Sequence, residues 1–188
     1  MANQHWFRFK DLSVDTALKP DWKPKSLVPG IWRCVPEEKL NVDWIQYLSA
    51  KINANVNNIM LFYKPPHFNN TVAHVDLTIT PGYIPRYYAL NWLVDGADSE
   101  MRWYKTPLKE KAVELTPANT PYKSWPIEDV EQEDSCDIGG RLTLVRTDSP
   151  HAIFTTHQGR WCFSIRPVLL IKSNHDRGKK LLMFSNIY

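Results

Sequence analysis

Short runs of β-branched and aromatic residues, each bounded by proline, glycine or asparagine, recur through the middle and end of this chain. That rhythm constrains its fold more than any other feature. "NIMLFYK" (58–64), "VAHVDLTIT" (72–80), "RYYALNWLV" (86–94) and "EMRWYK" (100–105) are separated by the turn-forming "PPHFNN", "PGYIP" and "DGADS". Further runs follow at "GRLTLVRT" (140–147), "HAIFTT" (151–156) and "RWCFSIRPVLLIK" (160–172). Segments of this length and composition read as strands. Helical periodicity is confined to 37–54, "EEKLNVDWIQYLSAKINA", where Leu40, Trp44, Tyr47, Leu48 and Ile52 recur at three-to-four spacing. Glu37 and Glu38 suit the positive end of that helix. Seven or eight strands after one or two helices predict a mainly β (α+β) domain, a two-sheet jelly roll or barrel. A sandwich with purely structural faces is the alternative.

The 188 residues are long enough for one domain with a proper core. Residues 1–57 read as a proline-punctuated arm and the helix, 58–172 as the β core, and 173–188 as a tail. Within the core, 106–137 is a polar, proline-containing excursion, long for a loop and so a candidate lid. Hydrophobic content of 43% and charged content of 23% place the chain among ordinary soluble globular proteins. The net charge of +3, with no like-charge block beyond "RGKK" and "EDVEQED", gives no basic footprint for nucleic acid, although a single-stranded or base substrate stays open. "VLLI" at 168–171, the longest apolar run, is far too short for a bilayer, and "MANQHWFRFKDL" has no apolar core of signal-peptide length. Cys34, Cys136 and Cys162 occur singly, which fits a reducing cytoplasm better than a disulfide framework.

His74 and Asp76 interrupt the apolar run "VAHVDLTIT". Side chains two apart on a strand share a face, roughly 7 Å apart, so both can lean onto one ion. The plainer account is an imidazole–carboxylate hydrogen bond on a half-exposed strand. Downstream, "DSPHAIFTTHQGRWCFSIRP" puts His151 at the start of a strand and Arg160 at the opening of the next. His151 would complete a two-histidine, one-carboxylate set with His74 and Asp76, leaving three positions of an octahedral ion open, which suits non-haem Fe(II). A closed structural zinc site would need a fourth ligand that the scattered cysteines do not offer. Arg160, Cys162, Ser164 and Arg166 alternate, so their side chains share a face. If that face is interior, its guanidinium groups need anions, and a metal-bound dicarboxylate would supply them; the other outcome is pairing with a structural carboxylate.

H-x-D, then a distal histidine after "SP", then an arginine opening the next strand resembles the Fe(II)/2-oxoglutarate-dependent oxygenase superfamily, as written in small viral and bacterial members. The resemblance spans roughly residues 58–170 and includes "LFYKPPHFNNTVAHVD", "YYALNWLVDGADSEMRWY" and "RLTLVRTDSPHAIFTTHQGRWCFSIRP". It implies a double-stranded β-helix (jelly roll, cupin-like) with an N-terminal helix packed on it. It also implies His74, Asp76 and His151 as catalytic iron ligands, and Arg160 as the holder of the distal carboxylate of 2-oxoglutarate. Arg166, at R-x5-R spacing, is similar to the second arginine of the nucleic-acid dealkylase branch, although the nine residues from His151 to Arg160 are fewer than in that branch. Ser164, Tyr63 and Asn91 are further co-substrate contacts by the same resemblance.

The implied activity is hydroxylation of a substrate C–H bond by O2, with 2-oxoglutarate converted to succinate and CO2. An amino acid, peptide or small molecule is the expected substrate. A nucleic-acid base demethylase of the same superfamily and a non-catalytic cupin-like binding module are the alternatives. Among the remaining residues, His67 and His157 fall in expected turns and read as solvated. Cys162 reads as a small buried hydrophobe, and Trp92, Trp103 and Trp161 as strand packing.

Overall fold

A computed structural model describes residues 5–8, 33–34, 40–56, 59–67, 69–77, 88–95, 99–107, 111–115, 121–139, 142–155, 159–166 and 168–169. The rest of the expected N-terminal arm, the tail at 173–188, His157 and the 78–80 end of the second run lie outside the described residues.

In chain order the elements are β1 (Trp6–Arg8), β2 (Arg33–Cys34), α1 (Val42–Ile52), β3 (Ala54–Asn55), β4 (Ile59–Lys64), β5 (Val72–Asp76), β6 (Tyr88–Asp95) and β7 (Ser99–Tyr104). Then come β8 (Glu114–Leu115), β9 (Pro121–Pro126), a 3-10 turn (Ile127–Asp129), β10 (Gln132–Asp137), β11 (Thr143–Arg146), β12 (His151–Thr155), β13 (Arg160–Ile165) and β14 (Val168–Leu169). The strands form two six-stranded antiparallel sheets. The first has the order β1-β11-β6-β13-β4-β2 and the second β10-β7-β12-β5-β9-β8; β3 and β14 make a separate pair.

Alternation along β4, β6 and β13 gives the first sheet two buried faces. Ile59, Leu61, Leu90, Phe163 and Ile165 point to one side, where Trp44 and Leu48 of α1 cover them. Phe62, Ala89, Leu93 and Cys162 point to the other and pack against Met101, Trp103 and Ile153 of the second sheet, so the sheets bury their facing sides against each other. Trp103 sits at the centre of this layer, wholly buried, its indole Nε1–H donating to the Arg146 carbonyl at 2.9 Å. A buried indole needs such a partner.

The helix is shorter than the periodicity predicts. Asn41 caps it, its Oδ1 accepting from the Trp44 N–H at 3.0 Å, and Asn53 ends it in the left-handed region at φ 50°. Trp44 and Leu48 face the sheet as expected, but Tyr47 is exposed. The excursion at 106–137 is a correction: β8, β9, the 3-10 turn and β10 lie in it. β10 pairs with β7, while β9 pairs with β5. The segment extends the second sheet at both edges instead of lying over it as a loop. Among the described residues no helix is long and apolar enough to cross a membrane.

Candidate metal centre

β5 and β12 are neighbours in the second sheet, and their register sets His74 directly opposite His151. The imidazole rings are 4.4 Å apart between centroids. Ala73 and Ala152 point to the other side of the sheet and pack with Tyr104, which turns His74, Asp76 and His151 toward the first sheet. His74 Nε2 stands 3.7 Å from Asp76 Oδ1, and one donor atom from each of the three residues falls within 4.8 Å of the others. Metal–ligand bonds of about 2.1 Å set facial donors about 3 Å apart, so side chains whose donors lie within 4.8 Å of one another would still have to draw together onto an ion.

The surroundings orient each donor. His151 Nδ1 lies 2.9 Å from the Ser149 carbonyl oxygen, which can only accept. The proton is therefore on Nδ1, and the Nε2 lone pair is free to ligate. Asp76 Oδ2 receives Arg166 Nη2 at 2.5 Å, leaving Oδ1 toward His74. Arg166 Nη1 donates to Thr147 Oγ1 at 3.1 Å, and the Asp76 N–H donates to the Thr147 carbonyl at 3.1 Å. Arg146 binds Asp148 through Nε and Nη2, at 2.6 and 3.2 Å, which steadies the turn carrying Thr147 and Ser149.

Burial, helped by the positive charge His151 would carry and by Lys64 and Arg166, pushes the pKa of His74 down to about 3. Burial alone would raise the carboxyl of Asp76, but Arg166 and the two histidines overcome it and hold that group at about 2. Burial also lowers His151. At neutral pH the set is two neutral imidazoles and one carboxylate, the protonation state a divalent ion requires. The side chains of His74 and Asp76 keep 22% and 17% exposure, so the donors are reachable from solvent.

Arg160 occupies the far end of β13 and is wholly buried. Its guanidinium lies 5.4 Å from the centroid of the Phe62 ring, and Nη1 donates to Ser99 Oγ. Nε and Nη2 are buried without a hydrogen-bond partner, and no carboxylate is ion-paired with Arg160 among the described residues. A buried, underbonded cation is costly unless an anion joins it. Lys64, directly opposite on β4, adds a second cation; burial and then Arg160 lower its pKa to about 8. Ser164 and Asn91 are cross-strand partners, both buried, and among the described residues Asn91 Oδ1 has no hydrogen-bond partner.

The structure therefore brings together His74, Asp76 and His151, with Arg166 spent on Asp76 instead of on an external anion. Arg160, Ser164 and Asn91 lie on the facing sheet. Tyr63 is a correction: Phe62 and Lys64 point between the sheets, so Tyr63 points the other way, its ring 5.1 Å from that of Trp161. There its ring fills the space beside Gly159, where any Cβ would meet ring carbons at 2.9 Å. His67 is exposed in a turn, Cys162 is buried with its thiol pKa raised by burial, and Trp92 packs on Phe163, as the sequence suggests.

Sequence reasoning missed Lys64, Thr147 and the pair Tyr122 and Ser124. Lys64 ends its run beside two prolines, where a lysine ordinarily marks a solvated strand end. Thr147, four residues before His151, carries no signal of its own. No family model matches this sequence, and no match is found among curated proteins.

Proposed function

We propose that the chain is an Fe(II)- and 2-oxoglutarate-dependent oxygenase built on a double-stranded β-helix, hydroxylating a C–H bond of an amino acid, peptide or small molecule in the cytoplasm. Strand order supports the architecture: β4, β6, β11 and β13 are contiguous in the first sheet, and β5, β7, β10 and β12 in the second. Taken along the chain, these eight strands cross between the sheets at every step except β7 to β10, the path of a jelly roll.

The observation that carries the activity is the pairing of an open three-donor set with a buried arginine short of partners on the facing sheet. His74, Asp76 and His151 fit a 2-His-1-carboxylate ion, and three donors leave positions for a co-substrate and O2. The bound iron would supply the oxidative chemistry that couples decarboxylation of 2-oxoglutarate to oxidation of the substrate. The protein's own part is to hold the donors deprotonated and aimed. Arg166 and Thr147 fix Asp76, Ser149 sets the tautomer of His151, and Arg160 with Lys64 offers positive charge to the far carboxylate of a dicarboxylate.

The test is calorimetric titration of Mn(II) and then 2-oxoglutarate, followed by succinate release with Fe(II) in air. Tight sequential binding and succinate formation are expected from the wild type. His74→Ala and Asp76→Ala should each weaken the metal by at least about 100-fold and stop succinate release. Wild-type succinate yield from either variant would refute the assignment. Binding of both ligands without succinate would leave a binding module.

A further inference from the structure

We infer that the β8–β9 hairpin supplies the substrate-recognition wall of the metal site, and that its carboxylate, Glu114, receives a cationic group: the ammonium or guanidinium of an aliphatic amine or guanidine. The inference rests on the oxygenase reading for its reaction but on the hairpin's geometry for its chemistry.

Antiparallel partners point to the same side of a sheet. Ser124 is paired with His74, and Tyr122 with Asp76; Glu114 in turn is paired with Tyr122. Two rows of side chains therefore run off the metal donors toward the sheet edge, one through Ser124 and one through Tyr122 to Glu114. The Tyr122 ring stands edge-on to His74 with centroids 6.4 Å apart. Its hydroxyl donates to Glu114 Oε2 at 3.0 Å, and Ser124 Oγ donates to Glu114 Oε1 at 3.3 Å.

Two neutral hydroxyls from β9 thus hold a carboxylate in place. Each oxygen keeps a free acceptor site, since each has two lone pairs and one donor. Glu114 is exposed, and among the described residues no lysine, arginine or histidine is ion-paired with it. The charges deeper between the sheets have the opposite sign: Arg160, ion-paired with no carboxylate among the described residues, and Lys64 opposite it on β4. The inner site suits an anion, and the outer wall suits a cation, with an aromatic ring beside it to add attraction. A molecule drawn by both would lie across the mouth with its positive end on β8.

Length narrows the class. Two strand spacings of about 4.8 Å put the β8 backbone about 10 Å from the ligand strand, and the Tyr122 and Ser124 hydroxyls draw the Glu114 carboxylate back toward β9. A hydrogen bond of about 2.9 Å takes part of that distance. What remains accommodates only a few bonds between the cationic atom and the carbon presented to the metal. A lysine or arginine side chain has that reach.

The test uses the full chain with Mn(II) and 2-oxoglutarate under anaerobic conditions, and separately the metal-free chain. Binding of N-acetyl-lysine amide and N-acetyl-arginine amide is measured by saturation-transfer NMR against their uncharged counterparts, N-acetyl-norleucine amide and N-acetyl-citrulline amide. The cationic member of each pair should bind about threefold more tightly, as an ion pair on an exposed carboxylate predicts. Glu114→Gln should erase that preference and Glu114→Asp keep part of it, with Mn(II) uptake equal to wild type in both. The inference is overturned if the wild type shows no preference for the cation, or if the preference survives in Glu114→Gln. If the wild type takes up neither Mn(II) nor 2-oxoglutarate, the oxygenase reading falls, while the metal-free comparison still decides whether Glu114 selects cations.

Discussion

Arg160, which opens β13, and Arg166, the residue just past its end, carry the same side chain in opposite circumstances. At the C-terminal side Arg166 is engaged by the protein: one terminal nitrogen donates to Asp76 and the other to Thr147, and Asp76 is in turn fixed beside His74. At the other end Arg160 is more deeply buried, yet among the described residues it has one hydrogen bond, to Ser99, and two nitrogens without any. A cation whose nitrogens are taken by protein groups orients what it touches. One with buried, unpartnered nitrogens can offer its charge to a ligand, the role proposed above for Arg160. On the proposed reading, the pair divides the inter-sheet space into an end that positions the donors and an end that would receive the co-substrate.

The largest effect should come from exchanging each arginine for methionine. Arg160→Met is expected to raise the 2-oxoglutarate concentration for half-saturation by about 10- to 150-fold, since one charge-assisted contact is worth about 1.5–3 kcal/mol. It should leave the stability of the metal-free protein unchanged or higher, because an unpaired buried cation is removed. Arg166→Met should do the reverse to stability. Asp76 loses its counter-charge, and a cost of about 2–3 kcal/mol is expected, below the figure for a fully buried pair because both groups keep some solvent contact. Urea unfolding of the two metal-free variants checks this. Equal destabilisation by both would erase the contrast.

A smaller effect concerns acid. His74 in the fold titrates near 3, well below an ordinary histidine, so between about pH 6.5 and 3 the unfolded chain binds more protons. Asp76 acts in the same direction between about pH 4 and 2. Metal-free protein should therefore lose stability progressively as pH falls from about 6.5, first through the histidine and then through the carboxylate. In His74→Gln the upper part of that slope should flatten. An unfolding midpoint constant from pH 7 to 4 would contradict the histidine shift, and one constant from pH 4 to 2 the carboxylate shift.

The smallest effect is the most diagnostic of side-chain direction. Tyr63→Phe should change 2-oxoglutarate half-saturation by less than about twofold, whereas Lys64→Met should raise it several-fold, because the neighbours point to opposite faces of β4. A large effect from Tyr63→Phe and none from Lys64→Met would mean the strand is turned over.

That last contrast also marks where sequence reasoning stopped. Composition placed most of the strands, because β-branched and aromatic runs between prolines have few other uses, and alternation within β5 was enough to put His74 beside Asp76. Which side of β4 faces the site depends on its register against β13, and register is a property of two segments that neither declares alone. β9 escaped notice for a different reason. "PYKSWP" begins and ends in proline and carries lysine and serine, a composition that discourages a strand reading and is tolerated toward a sheet edge, where β9 lies next to last. The hairpin that flanks the metal donors was thus hidden by residues suited to its marginal position.

The facing histidines of β5 and β12 have one more consequence. A slip of a single residue between these strands would send one imidazole to the outer surface and leave the other alone. Only a correctly threaded sheet can chelate, so an ion captured there selects one alignment from its near neighbours and favours that alignment in proportion to how tightly it is held. Cofactor loading and quality control of folding would then be the same event.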